Sequence, residues 1–296
     1  MEEQEKKKHH KWLKRLIFLF LTLFLISSSF LLYSRFAGTK GLFMKEYRIV
    51  DSNLSDNFYG LKIVHISDLH YGTTFLKEDL ETLTTKVNRA KPDLVVFTGD
   101  LIDASAKLET GDLEALTKSF SDMNGTIGKY AVSGDQDEDR ASLILSNSGF
   151  SMLTDSYELI YQKNNVPLLL SGVSSNRNAG SSIATKVAST ITYLSSLGEN
   201  SIKPSYKILL LHEPDFIDEI DPSYFQLILA GHSNGGLIRI PYLGGLFLPK
   251  GAKKYSGDFY QLENTKLFVS SGIGTTNMKF RFHNRPSFNL YRLVNK

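Results

Sequence analysis

Five short apolar runs in this sequence are each followed closely by aspartate, histidine or asparagine. The runs and their endings read "VHISDLH" (64–70), "VVFTGD" (95–100), "AVSGDQD" (131–137), "ILLLHE" (208–213) and "LILAGHSN" (227–234). Short continuous apolar runs predict strands that are buried on both faces. In open α/β sheets, ligands bind beyond the carboxyl ends of the strands. The sequence therefore predicts one site at which the ends of several strands meet.

The segments between these runs complete the predicted organisation. Helices are predicted near 75–90, 105–123, 138–148 and 181–196. The segment 157–173 predicts a hairpin that turns at Asn164-Asn165, and two further strands are predicted at 266–274 and 288–294. Because strands and helices alternate first and strands dominate later, we expect an α/β protein whose stacked sheets lie between helices.

An uncharged apolar segment, Leu16 to Tyr33, follows a basic N-terminal flank. A helix of this length just spans the hydrocarbon core of a bilayer, which predicts an uncleaved single-pass anchor in the cell membrane; a cleaved signal peptide is the alternative. Six Lys and Arg residues precede the segment and three follow it within residues 34–45, so the N-terminus is expected in the cytoplasm and the main domain outside it. The predicted parts are a flank (1–15), an anchor (16–33), a tether (34–45) and one domain (46–296).

Charge and cysteine content exclude several classes of protein. The chain of 296 residues has a formal net charge of +3, but residues 1–45 alone carry nine Lys/Arg and three Asp/Glu. Residues 46–296 therefore hold 25 basic and 28 acidic side chains, a net of −3, and no nucleic-acid-binding surface is expected. Because the chain has no cysteine, disulfides, thiolate metal ligands and a cysteine nucleophile are excluded.

The side chains at the strand ends are oxygen and nitrogen donors. They are Asp68, His70, Asp100, Asp135, His212, His232 and Asn234. A donor set of Asp, His and Asn without Cys suits Mn, Fe, Zn or Mg. Neighbouring carboxylates repel each other unless a proton or a cation lies between them, and a pair of cations would allow Asp135 to lie near Asp100. His65, which lies inside a strand, is predicted to be structural.

The order and spacing of these blocks resemble the calcineurin-like metallophosphoesterase superfamily, and most closely its membrane-associated bacterial branch. The resemblance rests on "DLH" (68–70), "GD" (99–100), "GDQD" (134–137), His212, "GHSN" (231–234) and the later run "GGLIRIPYLGGLFLPKGAKKYSGDFY". It covers about residues 46–296. The fold that it implies is a four-layer β-sandwich flanked by helices, with a centre for two divalent metal ions at the strand ends.

The resemblance also implies a role for each strand-end ligand. The first metal would bind Asp68, His70 and Asn234, the second would bind Asp135, His212 and His232, and Asp100 would bridge the two. The implied activity is that of a metal-dependent phosphoesterase, in which a metal-activated hydroxide attacks phosphorus in line and both ions stabilise the added charge. The implied substrate is a phosphate monoester or diester, lipid and cell-envelope phosphates included.

Two motifs depart from the family pattern. "GNHD" is replaced by "GDQD", which puts Gln136 where a catalytic histidine stands and deprives Asp137 of the residue that it orients. Glutamine cannot supply a proton, and such roles are worth about 10² to 10⁴ in rate. "GHxH" is replaced by "GHSN", so the neutral amide of Asn234 is expected to bind metal more weakly than an imidazole. Asp137 is then expected to be either an orphaned carboxylate or a free surface acid.

Three functions remain open on these grounds. The first is a phosphoesterase whose activity Gln136 and Asn234 reduce, with Tyr71 and Arg239 as candidate contacts for substrate phosphate. The second is a degenerate family member that acts as a binding or scaffold protein at the membrane. The third is a metal-dependent hydrolase of another bond. Lys250 and Lys253 are further candidates for contact with phosphate oxygens.

Overall fold

The computed structural model describes residues 2–137, 139–162, 166–175, 182–198, 201–276 and 278–295. The described α-helices are α1 (Glu2–Leu32), α2 (Lys77–Ala90), α3 (Asp112–Ser121), α4 (Asp139–Asn147) and α5 (Ile183–Ser196). The described strands are β1 (Phe43–Val50), β2 (Lys62–Ile66), β3 (Leu94–Phe97), β4 (Gly128–Ala131), β5 (Ser151–Met152), β6 (Ser156–Ile160), β7 (Leu168–Gly172), β8 (Tyr206–Leu211), β9 (Leu227–Ala230), β10 (Arg239–Ile240), β11 (Gly244–Gly245), β12 (Phe259–Leu262), β13 (Thr265–Val269) and β14 (Ser287–Val294).

Most of the strands form two six-stranded sheets. The strand order is β1-β14-β2-β3-β4-β5 in the first sheet and β12-β13-β9-β8-β7-β6 in the second, while β10 and β11 pair separately. Strands β2, β3 and β4 run parallel to one another in the first sheet. Strands β7, β8, β9 and β13 do the same in the second. Each sheet therefore has an edge at which the carboxyl ends of several strands lie side by side.

Alternation of side chains along the strands places the two sheets face to face. Leu94 and Val96 of β3 belong to the core between the sheets, whereas Val95 and Phe97 pack in an outer core with Leu83 of α2. Strand β8 alternates in the same way between the central core and a second outer core that includes α5. Because side chains of a strand point alternately to opposite faces, a run that is apolar throughout must be covered on both sides.

The result is four layers: α2, α3 and α4, then the two sheets, then α5. This arrangement confirms the predicted α/β class and the sandwich flanked by helices.

In α2, the buried residues Leu80, Leu83 and Val87 recur at helical spacing, and the side chain of Asp79 accepts a hydrogen bond from the Leu76 backbone N–H at 3.0 Å. This acceptor satisfies one of the amide donors that the start of a helix leaves unpaired.

The structure differs from the predicted elements mainly at their ends. The first strand starts at Phe43, inside the predicted tether, and pairs in parallel with β14 over its whole length. The helix predicted over 105–123 is confined to Asp112–Ser121. Strands β6 and β7 form the predicted antiparallel hairpin, but the predicted turn at Asn164-Asn165 lies outside the described residues.

The N-terminal helix stands apart from the core but is joined to the domain at its end. Helix α1 continues through Tyr33–Ala37, and Lys8–Ala37 is long and apolar enough to cross a membrane. The ring of Phe282 lies 4.8 Å from that of Phe30 and 5.9 Å from that of Tyr33. The backbone N–H of Arg281 donates to Ser34 O at 2.9 Å. The end of the apolar helix is therefore in contact with the domain.

Candidate metal centre

The strand-end residues of both sheets converge on one place. Asp68 and His70 follow β2, Asp100 follows β3 and Asp135 follows β4, all in the first sheet. His212 follows β8, and His232 and Asn234 follow β9, in the second sheet. Because these strands run parallel within each sheet, their polar ends emerge at the same edge, and packing of the two sheets brings both edges together. The structure thus assembles every strand-end residue that the sequence singles out.

Two groups of potential ligands share Asp100. Asp68, His70 and Asp100 form one group, and Asp100, Asp135, His212 and His232 form the other, with the donor atoms of each group within 4.8 Å of one another. Asp100 Oδ2 lies 3.5 Å from His70 Nε2, and Asp100 Oδ1 lies 3.4 Å from His212 Nε2. One carboxylate therefore presents a different oxygen to each group.

The histidines are held by their other ring nitrogens. His212 Nδ1 lies 2.6 Å from the backbone oxygen of Thr98, and His232 Nε2 lies 2.9 Å from that of Lys250. His70 Nδ1 faces Asp103 Oδ2 at 3.3 Å. An acceptor at one ring nitrogen makes that nitrogen the N–H donor, which leaves the opposite nitrogen as a metal-binding lone pair. The tautomers thus favour ligation by His70 Nε2, His212 Nε2 and His232 Nδ1.

The backbone at the strand ends is strained. Asp68, His70, Asp100, His232 and Asn234 all have positive φ angles, between 41° and 65°. Residues other than glycine adopt this left-handed conformation at a cost of about 1–3 kcal/mol each when it is not locally compensated, and such residues concentrate at functional sites. Their chain therefore turns sharply just where the side chains must face one centre.

Two glycines of the motifs allow loops of different strands to touch. A Cβ on Gly134 would fall 2.2 Å from Asp100 Oδ1, and one on Gly231 would fall 1.9 Å from Ser67 Oγ and 2.7 Å from Asp68 Oδ2. Neither contact tolerates a side chain. The glycines that precede Asp135 and His232 are thus explained by close packing of the ligand loops, and they bring the carboxylates within range of one another.

Burial and mutual attraction shift the pKa values of these groups in opposite directions. Burial raises the pKa of Asp68 above its usual value, although His212 opposes the shift. Burial also disfavours the ionised form of Asp100, but attraction by His212 and His70 holds its pKa below the usual value. Burial would lower the pKa of His212, yet Asp100 and Asp135 raise it well above its ordinary value. The centre therefore holds buried carboxylates that require positive charge beside them.

Asn234 contributes an amide to the first group. Its Nδ2 lies 3.2 Å from His70 Nε2 and 3.5 Å from Asp68 Oδ1, and its Oδ1 is buried with no hydrogen-bond partner among the described residues. The oxygen and nitrogen of an amide are assigned from the hydrogen-bond network, and a half-turn of the amide exchanges them. The half-turn would direct the oxygen at Asp68 and His70, where a cation is the partner that an oxygen donor needs.

These residues fit a pair of divalent cations. The donors are carboxylates, imidazoles and one amide, the imidazole tautomers expose the inward nitrogens, and Asp100 faces both groups. Such a set suits Mn, Fe, Zn or Mg rather than a soft, thiolate-binding metal.

Gln136 and Asp137 are adjacent in the loop after β4, and both of their side chains accept hydrogen bonds from backbone N–H groups. The side-chain oxygen of Gln136 accepts a hydrogen bond from the Ala104 N–H at 3.1 Å. The Asp137 carboxylate accepts from three backbone N–H groups, those of Asp100, Leu101 and Gly134, at 2.8–2.9 Å. The expectation of an orphaned or free surface acid at Asp137 was wrong, because backbone donors take the place of the missing histidine. Burial, followed by repulsion from Asp100, raises the pKa of Asp137 to about 6.

A cleft of about 480 Å³ opens over the centre. Its polar wall includes Asp100, Asp135, Gln136, His232 and Asn234. Much of the remaining lining, called here the apolar wall, consists of Leu237, Leu246, Phe247, Leu248, Pro249 and Met278, and Lys250 also lines the cleft. The cleft is thus lined both by candidate metal ligands, called here its charged floor, and by apolar side chains.

The two candidate substrate contacts are placed elsewhere. Tyr71 is buried, and its hydroxyl donates to Asp112 Oδ1 at 2.8 Å. Arg239 Nη1 lies 3.7 Å from Asp258 Oδ1. Neither residue lines the cleft in the described part of the chain, whereas Lys250 does.

Sequence reasoning missed Asp103 and the apolar wall. Asp103 supports His70 from behind, and the available signal was an acidic residue in the loop that carries Asp100. The apolar wall comes from the segment after "GHSN", whose leucines and phenylalanine are too irregularly spaced to indicate a strand or a helix.

Known proteins that are similar to this chain include several phosphoesterases. A family model described as calcineurin-like phosphoesterase matches residues 61–235. The chain is 28% identical to the uncharacterised metallophosphoesterase YkuE of Bacillus subtilis over 88% of each chain. It is 24% identical to the UDP-2,3-diacylglucosamine pyrophosphatase LpxG of Chlamydia muridarum, over 80% of this chain and 85% of that protein. It is 23% identical to the phosphodiesterase YaeI of Escherichia coli, over 81% of this chain and 84% of that protein.

Proposed function

This chain belongs to the calcineurin-like phosphoesterase family, and from that premise we propose that it is a membrane-anchored, metal-dependent phosphoesterase whose active site is the cleft over the strand ends. The observation that carries the proposal is the position of Asp100, whose two carboxylate oxygens face two separate groups of ligands. A single carboxylate shared in this way is suited to bridging two cations.

The proposed ligands follow from the two groups. Asp68, His70 and Asn234 would hold one ion, Asp135, His212 and His232 would hold the other, and Asp100 would be available to both. When bound, the pair of ions lowers the pKa of water and offsets negative charge on the phosphoryl group. Asp103 and the backbone oxygens of Thr98 and Lys250 keep the three imidazoles in the tautomers that ligation requires.

The remaining polar groups of the cleft orient the substrate. The Gln136 side chain uses its oxygen to accept from Ala104, so its NH₂ end is the one that can donate to a phosphoryl oxygen. Lys250 lies in the cleft wall and adds positive charge near the centre. Gln136 cannot protonate a leaving group, so among otherwise similar substrates those with a weakly basic leaving group, such as a phosphate or an aryl oxide, are favoured.

Phosphodiesters and pyrophosphates are the substrate class that this centre favours. Asp135 adds a carboxylate where the family pattern has an asparagine, and the added negative charge weakens attraction for a monoester dianion more than for a diester monoanion. The names of two relatives, a phosphodiesterase and a UDP-2,3-diacylglucosamine pyrophosphatase, support this choice. Because the Asn234 amide replaces an imidazole of the family pattern, binding of Mn²⁺ or Mg²⁺ is favoured over binding of Zn²⁺.

Metal analysis combined with ester hydrolysis tests the proposal. The full chain, purified in detergent, is expected to bind two equivalents of Mn²⁺ and to hydrolyse bis-p-nitrophenyl phosphate faster than p-nitrophenyl phosphate. Asp100→Ala is expected to lose both metals and all hydrolysis, whereas Asp122→Ala, which removes an exposed acid paired with Lys118, serves as the matched control. Retention of two equivalents of metal by Asp100→Ala would contradict the assignment of Asp100.

A binding or scaffold role is the second candidate. It is favoured by Gln136 and Asn234, which replace two histidines of the family pattern. The two functions separate in the same experiment, because a scaffold binds metal but hydrolyses neither ester under any of the metals tested.

A further inference from the structure

An exposed apolar hairpin projects beside the cleft. It is formed by residues 240–247, called here the apolar hairpin, and contains β11 and the end of β10. Its large apolar side chains are Ile240, Tyr242, Leu243, Leu246 and Phe247, of which Tyr242 is fully exposed and Leu243 is 78% exposed. Contiguous apolar patches of this kind are rare on soluble monomers and mark contact with another protein or with a membrane.

The strand that leads into this hairpin is bonded to the residue that holds the N-terminal helix. The Phe282 N–H donates to Leu237 O at 3.1 Å, and the Arg239 N–H donates to Phe282 O at 2.9 Å. The ring of the same Phe282 packs on Phe30 and Tyr33 at the end of α1. The hairpin therefore starts one residue away from the contact between the domain and the apolar helix.

This contact determines where the hairpin lies relative to a bilayer. If α1 spans the bilayer, Phe30 and Tyr33 lie at its surface, and aromatic residues are typical of that depth. The six residues from Ile238 to Leu243 reach at most about 20 Å when fully extended, so the tip of the hairpin stays within reach of the same surface. Tyr242 and Leu243 at the tip are the most exposed of its side chains.

We propose that the apolar hairpin docks into the surface of the bilayer that holds α1. The docked hairpin places the cleft next to the phosphoester groups of membrane lipids. This inference rests on the membrane anchor and the phosphoesterase activity proposed above. Leu246 and Phe247 of the hairpin also line the cleft, as does Leu237 at its base. A lipid phosphoester would then place its phosphate over the charged floor while its apolar part follows the apolar wall into the bilayer.

The docking is tested by site-specific labelling, for which the chain is well suited because it has no cysteine. Leu243→Cys in the full chain, labelled with a fluorophore sensitive to its environment and reconstituted into vesicles, is expected to be quenched by brominated phospholipids. Tyr59→Cys is the matched control, since Tyr59 is also a large exposed hydrophobic residue but precedes β2, at the opposite end of that strand from the centre. Quenching at residue 243 no stronger than at residue 59 overturns the proposal.

A second variant tests the substrate class. Tyr242→Ser with Leu243→Ser changes only exposed positions outside the cleft lining. Hydrolysis of soluble bis-p-nitrophenyl phosphate is expected to be unchanged, while hydrolysis of a phosphodiester lipid embedded in vesicles falls about tenfold, because the apolar side chains no longer hold the cleft at the surface. An equal rate on embedded lipid for the variant and the natural sequence overturns lipid presentation by the hairpin.

The labelling result does not depend on catalysis. Quenching at residue 243 in a chain that hydrolyses no ester supports the docking surface and removes the proposed phosphoesterase. Hydrolysis of an ester without quenching at residue 243 supports the phosphoesterase and removes the docking surface.

Discussion

The carboxylate of Asp137 holds the backbone of Asp100: its Oδ2 accepts a hydrogen bond from the Asp100 N–H at 2.9 Å. The same carboxylate also accepts from Leu101 and Gly134. Asp137 thus ties the loop after β3 to the loop after β4, and these loops carry Asp100 and Asp135. We propose that Asp137 positions these candidate ligands.

Loss of the Asp137 carboxylate is expected to affect stability and metal binding together. Asp137→Ala leaves three backbone N–H groups without their acceptor, and hydrogen bonds to a charged group are worth about 1.5–3 kcal/mol each. The variant also removes the cost of burying this carboxylate, which raises its pKa, so the net fall in the free energy of unfolding should be about 2–4 kcal/mol. Metal affinity should fall at least about tenfold, since Asp100 is no longer held in place. Denaturant unfolding and metal titration measure the two effects.

Asp137→Asn provides the comparison for this prediction. The amide keeps one acceptor oxygen, so it should retain part of both the stability and the metal affinity. Equal behaviour of the alanine variant and the natural sequence would refute the positioning role.

Restoring the two family histidines is expected to raise turnover. Gln136→His returns a group that can donate a proton, a role worth about 10² to 10⁴ in rate, and Asn234→His returns a nitrogen ligand. The double variant should therefore turn over esters at least about a hundredfold faster and should shift its metal preference towards Zn²⁺. Turnover measured with Mn²⁺, Mg²⁺ and Zn²⁺ tests both effects.

The single variants separate the contributions. Gln136→His alone should raise the rate without changing the metal preference, while Asn234→His alone should change the preference. If the double variant binds two metals but hydrolyses no ester, the scaffold function is correct and the enzymatic one is wrong.

The orientation of the chain in the membrane is predicted from the charges that flank the apolar segment. Six Lys and Arg residues precede Leu16, whereas residues 34–45 hold three, so the domain that follows should lie outside the cytoplasmic membrane. Protease added to intact protoplasts is expected to degrade the domain while a cytoplasmic marker protein survives. If the domain is protected from the protease until the protoplasts are lysed, it lies in the cytoplasm and the predicted orientation is wrong.

His65 is expected to make stability depend on pH. It is fully buried in β2, with Nε2 2.7 Å from Thr98 Oγ1 and Nδ1 3.3 Å from the Tyr291 hydroxyl. Burial lowers the pKa of His65 to about 3. The unfolded chain therefore binds a proton below about pH 6.5 that the folded chain does not, and this proton uptake favours unfolding as the pH falls.

The His65→Gln variant isolates this effect, because glutamine keeps a hydrogen-bonding group but does not titrate. Between about pH 6.5 and pH 3, the natural sequence should lose about 1.4 kcal/mol of unfolding free energy per pH unit relative to His65→Gln. Parallel stability curves for the two proteins across this range would show that His65 is not buried in its neutral form.

Much of the fold was predictable because its signals are local. Strands such as β3 and β8 are continuous apolar runs, and the need to cover both of their faces leads to stacked sheets between helices. The ligand candidates were predictable for the same reason, since each stands directly after such a run. The start of the domain was less well predicted, because β1 alternates weakly and is recognised only through its pairing with β14.

By itself, the sequence determined the α/β class with stacked sheets between helices, the apolar N-terminal segment and the set of oxygen and nitrogen donors, since these depend on residue type and on spacing along a few neighbouring positions. Only the tertiary structure decided that Asp137 is bound by backbone donors, that Asp103 stands behind His70, and that Phe282 joins the apolar hairpin to α1. Each of these contacts depends on loops from different elements meeting in space, and such a meeting leaves no periodic trace in the order of the residues.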